Sequence, residues 1–481
     1  MTSRPAWILA LACLAAAVAP AARSAGADAF VVKPYLQLGD RPSDGGTGDI
    51  RLLWHTDDID ADQWEVEYRP SPDSAWRKAE TPTSKRIALA SLKSAPIAPH
   101  RVYSVDLAGL PPGGTFAYRV SKDGAPVFEA EGKARKGADQ PYRFIAVGDI
   151  AQGTVDQRRV AFEMGKVKAD MLMWTGDIVY ARGRISEYRD KYFPVYNADE
   201  PGPTVGGTLL RSTLTVSAPG NHDVGNRDFE KYPDGLAYYY YWDLPRNGPE
   251  AGRFTLPLTG PEANQSAFRD AAGPAYPRMA NYSFDYGNAH WTVLDVNPYV
   301  DWREPALRDW VAKDLAAAKG ATWRFVSAHH PGFNSAHEHF EQQETRLLAD
   351  VFEAGKVDIV FHGHVHNYQR SFPLKFAAEK GPDGQMVRTK DLVPGTWALD
   401  KSFDGKANTR PDGVIYLVTG GGGAGLYNPE QQDQPQTWQT FTDKFISKVH
   451  SFTVVDVDGG TLSIRQVSDA GAELDAFRVT K

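Results

Sequence analysis

The chain has 481 residues, more than one hydrophobic core commonly serves, so two domains are expected. Hydrophobic residues make up 42% and charged residues 23%, ordinary for a soluble globular protein, with nothing to suggest disorder. The formal net charge of −7 provides no basic footprint for a phosphodiester backbone, so no nucleic-acid polymer partner is expected.

Residues 1–27 read as a secretory leader. They carry one early positive charge at Arg4, an apolar stretch from Ala6 to Ala19, and small-residue cleavage sites at Ala19-Pro20-Ala21 and Ala25-Gly26-Ala27. The stretch is too short to span a bilayer, so the expected location is secreted or periplasmic, with no membrane partner. The only cysteine, Cys13, lies inside this segment, and a mature chain without disulfides is expected. Cleavage after Ala27 removes Arg4, Arg23 and no acid, leaving 51 basic residues against 60 acidic. Local metal charge would have to attract any anionic substrate.

Residues 28–138 show short alternating runs bounded by turn residues: 50–54, 64–68, 101–105 and 115–120. This pattern predicts an all-β sandwich, with Trp54 as a core anchor. The stretch Leu107 to Gly113 leading to Tyr118 resembles the tyrosine corner of fibronectin type III modules. No catalytic cluster occurs here.

After a plausible linker at 137–141 the texture changes, and residues 139–481 form the second predicted domain. Near-continuous apolar strands are predicted at 143–147, 171–174, 214–217, 291–296, 323–327, 358–361 and 414–418. Between them, 156–168, 304–319 and 338–354 carry apolar residues at helical spacing. The fold class expected is therefore α/β, a layered C-terminal domain preceded by the all-β sandwich. Two runs at 451–457 and 461–464 around Gly459-Gly460 predict a hairpin at the edge of the catalytic sheet.

Loops at the C-terminal ends of such strands converge into a cleft where ligands bind. Five of them carry metal-ligand residues: Asp149, then Asp177 with Tyr180, then Asn221-His222-Asp223, then His329-His330, then His364-Val365-His366. A binuclear site needs a shared ligand, and a carboxylate can donate one oxygen to each ion; Asp177 is the expected bridge. Tyr180 lies close enough along a tight loop to reach the same ion, and a phenolate favours a trivalent one. Asn221 offers a neutral amide oxygen and leaves His222 beside it to meet a phosphate oxygen. Seven of the 12 histidines fall between His329 and His366, and His364 and His366, alternate residues at a strand end, point the same way. Each motif alone has a plain alternative: a glycine turn, a packing aromatic, or an adventitious metal site.

Taken in order, Gly148-Asp149, Gly176-Asp177-Ile178-Val179-Tyr180, Gly220-Asn221-His222-Asp223, His329-His330-Pro331 and Gly363-His364-Val365-His366 resemble the metallophosphoesterases, and specifically the purple acid phosphatases. The resemblance spans nearly the whole mature chain. It implies that Asp149, Tyr180 and His366 hold a ferric ion and that Asn221, His329 and His364 hold a divalent one, Fe2+, Zn2+ or Mn2+, with Asp177 between. His222 and His339 become the outer groups, His339 being preferred to His337 by its spacing from His329. The chain departs from the family pattern at Ala151, at Asp223, where glutamate is common, and before Arg370, where an acid often stands. These departures touch the surroundings of the ligands and put the acidity of the pH optimum in question.

The implied activity is hydrolysis of small phosphate monoesters by a hydroxide held between the metals, attacking in line with the leaving alkoxide. His222 and His339 would hold the phosphate and protonate the leaving oxygen. The alternative is a phosphodiesterase or nucleotidase with two divalent ions and Tyr180 off the metal. A further alternative is a non-catalytic adhesive protein.

Two features are read structurally. Thr419 to Gly425 contains a formal G-x-G-x-x-G, but no helix follows, so the glycines are expected to allow close packing under the cleft. The aromatic run Tyr238 to Trp242 is expected to be buried, within an insertion that is expected to carry substrate choice.

Overall fold

Strands rich in Val, Ile and aromatics, buried on both faces, build two stacked sheets. The computed structural model describes residues 29–481 except 43–47, 60–61, 90–96, 251 and 253, so the leader and Cys13 lie outside the described residues. In the first sheet, strands Tyr142–Val147, Met171–Trp174 and Leu214–Ser217 run parallel. In the second, Ala289–Leu294, Trp323–Ala328, Ile359–His362 and Ile415–Thr419 run parallel. The sheets meet through Phe144 of the first and Trp291, Phe325 and Phe361 of the second, with ring centroids 5.1–5.7 Å from Phe144. All four rings are fully buried, each contributing roughly 2–3 kcal/mol of transfer free energy.

Helices cover the outer faces. Helix Val155–Val167 starts at Thr154, whose hydroxyl accepts the Gln157 amide, and buries Val160, Ala161 and Met164. Helix Pro305–Ala317 has proline in its first turn and packs Leu307, Val311 and Leu315 with Val326 and Val360 behind the second sheet. The result is a layered α/β fold of helix, sheet, sheet and helix.

The predicted helix over 338–354 does not form as one element. His339 is in the left-handed region at φ 58°, which ends any helix there. Helical structure begins only with the 3-10 turn Glu344–Leu348 and continues as Ala349–Ala354. The segment before it is a loop that carries His339 into the cleft.

The N-terminal region is all β, with a core around Trp54, whose ring stacks on Tyr103 at 5.3 Å. Its first strand, Val32–Gln37, joins the catalytic sheet: Gln37 pairs with Thr215 in parallel, and the combined sheet has ten strands. Tyr35, Leu53 and Val102 accordingly sit in the same core as Phe193 and Tyr241. The tyrosine-corner expectation for Tyr118 is corrected. Its hydroxyl donates to the Arg211 carbonyl at 2.9 Å, across to the catalytic part, while Tyr68 donates to the Ala108 carbonyl at 2.8 Å.

The C-terminal hairpin is a three-stranded meander, Ser451–Asp458, Thr461–Ser468 and Glu473–Thr480, paired with Tyr142–Val147 at the sheet edge. Tyr238 to Trp242 are buried as expected. Among the described residues no helix is long and apolar enough to cross a membrane.

Candidate metal centre

Each predicted ligand segment follows one of the parallel strands, so all of them converge at one end of the paired sheets. Asp149, Asp177 and His364 turn into the cleft with φ of 62°, 51° and 68°, left-handed geometry that L residues rarely adopt. Glycine makes room beside them. A Cβ on Gly220 would lie 2.1 Å from the Asp177 nitrogen, and one on Gly420 would lie 2.4 Å from the Val365 carbonyl and 2.9 Å from Asp149 Oδ2. Gly420, Gly421, Gly422 and Gly423 thus serve close packing under the cleft, as expected, while a Cβ on Gly425 would meet nothing within 4 Å.

The side chains fall into two groups. In the first, Tyr180 Oη is 2.8 Å from Asp149 Oδ1 and 3.0 Å from His366 Nε2, and His366 Nε2 is 3.2 Å from Asp149 Oδ1. In the second, donor atoms of Asp177, His329 and His364 lie within 4.8 Å of one another, with His329 Nε2 3.2 Å from Asp177 Oδ1. The groups are tied together where the His364 amide donates to Asp149 Oδ2 at 2.8 Å. Asn221 opens the short helix Asn221–Val224 beside Asp177, and the next amide, that of His222, donates to Asp177 Oδ1 at 2.8 Å.

Backbone carbonyls set the histidine tautomers. His329 Nδ1–H donates to Thr175 and His366 Nδ1–H to Gly425, which leaves each Nε2 lone pair facing the carboxylates. His364 Nε2 instead meets Gln342 Oε1 at 2.5 Å, leaving Nδ1 for a cation. The buried Asn221 Oδ1 has no hydrogen-bond partner, a cost that a metal ion at this position would remove. The donor set of carboxylate, phenol, amide and imidazole fits hard and borderline cations.

The electrostatics agree with that fit. Burial opposes charge on His329, yet the Asp177 carboxylate draws it up to about 9. Burial would raise Asp177, and the His329 imidazole instead pulls it below the usual carboxylate range. Tyr180 is pushed well up by burial and by Asp149, so only a strong local positive charge would ionise it.

His222 is half-buried, with Nδ1–H donating to the Ala181 carbonyl at 2.9 Å and Nε2 3.8 Å from Asp177 Oδ2. His339 packs its ring 4.0 Å from that of His364, while His337 is exposed. All nine predicted residues therefore border one cleft.

Two neighbours escaped the sequence reading: Tyr427 stacks on His366 and Gln342 holds His364, and nothing local marked either of them. His330, named with His329 in the sequence, is buried with its ring 4.1 Å from that of His364. Asp223, flagged as a departure, is fully buried and accepts the amides of Ile178 and Gly220 at 3.0 and 2.9 Å. Burial and the Asp177 charge push it up to about 8. Arg370 finds its acids elsewhere, at Asp475 (2.8 Å) and Asp443 (2.6 Å).

Residues 142–368 match the family model described as calcineurin-like phosphoesterase. Residues 142–368 thus carry a calcineurin-like phosphoesterase domain, and the curated relatives the chain matches include purple acid phosphatases. It is 25% identical over 292 residues to purple acid phosphatase 23 of Arabidopsis thaliana, covering 56% of this chain and 57% of that one. It is 26% identical over 243 residues to the Fe(3+)-Zn(2+) purple acid phosphatase 12 of the same plant, covering 49% and 45%. Among solved structures, purple acid phosphatase PPD1 from yellow lupin (Lupinus luteus) seeds superposes with a TM-score of 0.61 at 17% identity, covering 93% of this chain and 74% of that one. The chain spans less than three fifths of the length of the curated relatives it matches.

Proposed function

We propose that the protein is an exported phosphoric ester hydrolase of the acid phosphatase type, acting on small phosphate monoesters with a binuclear metal centre. Asp149, Tyr180 and His366 would hold Fe3+, Asn221, His329 and His364 a divalent ion, and Asp177 would bridge them. The single observation carrying this reading is the meeting of Tyr180 Oη with both Asp149 and His366 within 3.0 Å. Zinc has support as the divalent ion from the printed name of one relative. Export rests on the leader pattern of residues 1–27.

When bound, the two cations would supply the Lewis acidity that activates water and offsets charge on the phosphoryl oxygens. The remaining work belongs to the chain. His222, oriented by Ala181, presents Nε2 toward the bridging carboxylate and would hold a phosphoryl oxygen by hydrogen bond. His339, packed on His364 and lining a polar pocket, would give a proton to the leaving oxygen.

A second reading, a phosphodiesterase or nucleotidase with two divalent ions, draws on the hydrogen bond that the neutral Tyr180 phenol donates to Asp149. A screen of phosphomonoesters and diesters with metal-reconstituted enzyme separates the two. The first reading expects monoesters to turn over faster than diesters; diester preference would replace it, and no turnover of either would remove both.

A further inference from the structure

Beside the proposed metal centre lies a cavity of about 660 Å3, within the range that holds a small organic ligand. His339 and Gln342 line it, and these same residues touch His364, so the cavity borders the ligand cluster. It is also lined by Glu341, Asp391, Gln439 and Phe340.

The lining holds amides, hydroxyls, the imidazoles of His337 and His339 and two carboxylates, and neither lysine nor arginine; one carboxylate, Asp391, is paired with Arg388 at 3.2 Å, which leaves Glu341 as the free charge. Glu341 is exposed and has no ion-pair partner among the described residues. A carboxylate accepts hydrogen bonds and cannot donate, so Glu341 matches hydroxyl protons and repels a second phosphate. Gln439 can both give and receive, and the half-buried Phe340 ring offers an apolar face to the C–H side of a ring. Arg182, the arginine on the loop that orients His222, is bonded to Asn226 and does not line this cavity.

We propose that this cavity receives the leaving group and selects an uncharged polyhydroxylated one, as in a sugar phosphate, over a leaving group that is itself phosphorylated. The inference rests on the phosphomonoesterase reading and names its substrate class.

The test starts with para-nitrophenyl phosphate and the metal-loaded enzyme. Absence of turnover there overturns the phosphomonoesterase reading and this inference with it. Given turnover, kcat/KM is compared for glucose 6-phosphate and pyrophosphate, and Kd for the corresponding phosphonates, one of glucose and one methylenediphosphonate, is measured by titration calorimetry. The sugar compounds are expected to be favoured by about tenfold or more in both readouts. Glu341→Arg is expected to narrow that ratio by about tenfold through KM and Kd, and Glu341→Gln by less. Equal preference in the wild type, or a ratio that neither variant moves, would overturn the pocket inference and leave the phosphatase reading standing.

Discussion

The ring of Tyr427 lies flat on that of His366, 4.0 Å between centroids and 10° between planes. His366 is otherwise held by its Nδ1–H bond to Gly425, so the stacking fixes the remaining freedom of the ring. Tyr427→Phe keeps the stacked face and is expected to leave iron retention near that of the wild type. Tyr427→Ala is expected to weaken it roughly tenfold, measured as the rate of iron loss to a chelator.

Asp223 braces the loop that turns Asp177 into the cleft. Asp223→Ala leaves the buried amides of Ile178 and Gly220 without their acceptor, and a loss of about 2–4 kcal/mol in unfolding free energy is expected. Denaturant melts measure it, and metal content of the same variant shows whether the Asp177 loop has also loosened.

Where the N-terminal sheet meets the aromatic run, His55 Nε2 lies 2.8 Å from Tyr35 Oη and His100 Nε2 2.9 Å from Tyr241 Oη. Burial first, then the neighbouring imidazole, Arg189 and Lys85, hold His55 well below its ordinary value; burial and Arg189 push His100 down to about 3, against the weaker pull of Asp58. Both are neutral in the folded state and must be protonated on unfolding in acid. The unfolded chain therefore binds more protons below about pH 6.5, so stability from these groups is complete above that pH and is lost as pH falls toward 3. At pH 5 the expected loss for His100 is about 2 kcal/mol, read as the change in unfolding free energy from pH 7 relative to a His100→Gln variant.

The C-terminal meander is clamped to the catalytic domain by the buried Arg370, which donates to Asp475 and pairs with Asp443. Asp475→Ala strands part of that charge in the interior, and a loss of about 3 kcal/mol is expected in thermal or denaturant unfolding. Arg370→Met, which removes the buried cation itself, is expected to cost less than Asp475→Ala.

The ligand segments were legible because each follows a near-continuous apolar strand, and such strands are buried on both faces and end at a common edge. The C-terminal hairpin was legible from its glycine turn for the same local reason. What escaped depends on partners far along the chain. Val32–Gln37 carries no mark of its pairing with Leu214–Ser217, and Arg370 meets Asp475, 105 positions further along the chain. The helix predicted from Glu338 failed because apolar spacing at Leu347, Val351 and Phe352 says nothing of a left-handed His339 upstream. Tyr118 has the position of a corner tyrosine, but the Arg211 carbonyl offered by the catalytic part took its hydroxyl.

The central claim is that Tyr180, brought against Asp149 and His366, binds ferric iron as a phenolate. The visible absorption spectrum of the purified, iron-loaded protein tests it most directly. A tyrosinate-to-iron charge-transfer band is expected in the wild type and is expected to vanish in Tyr180→Phe. A colourless, fully metallated wild type, or a band that survives Tyr180→Phe, would contradict it.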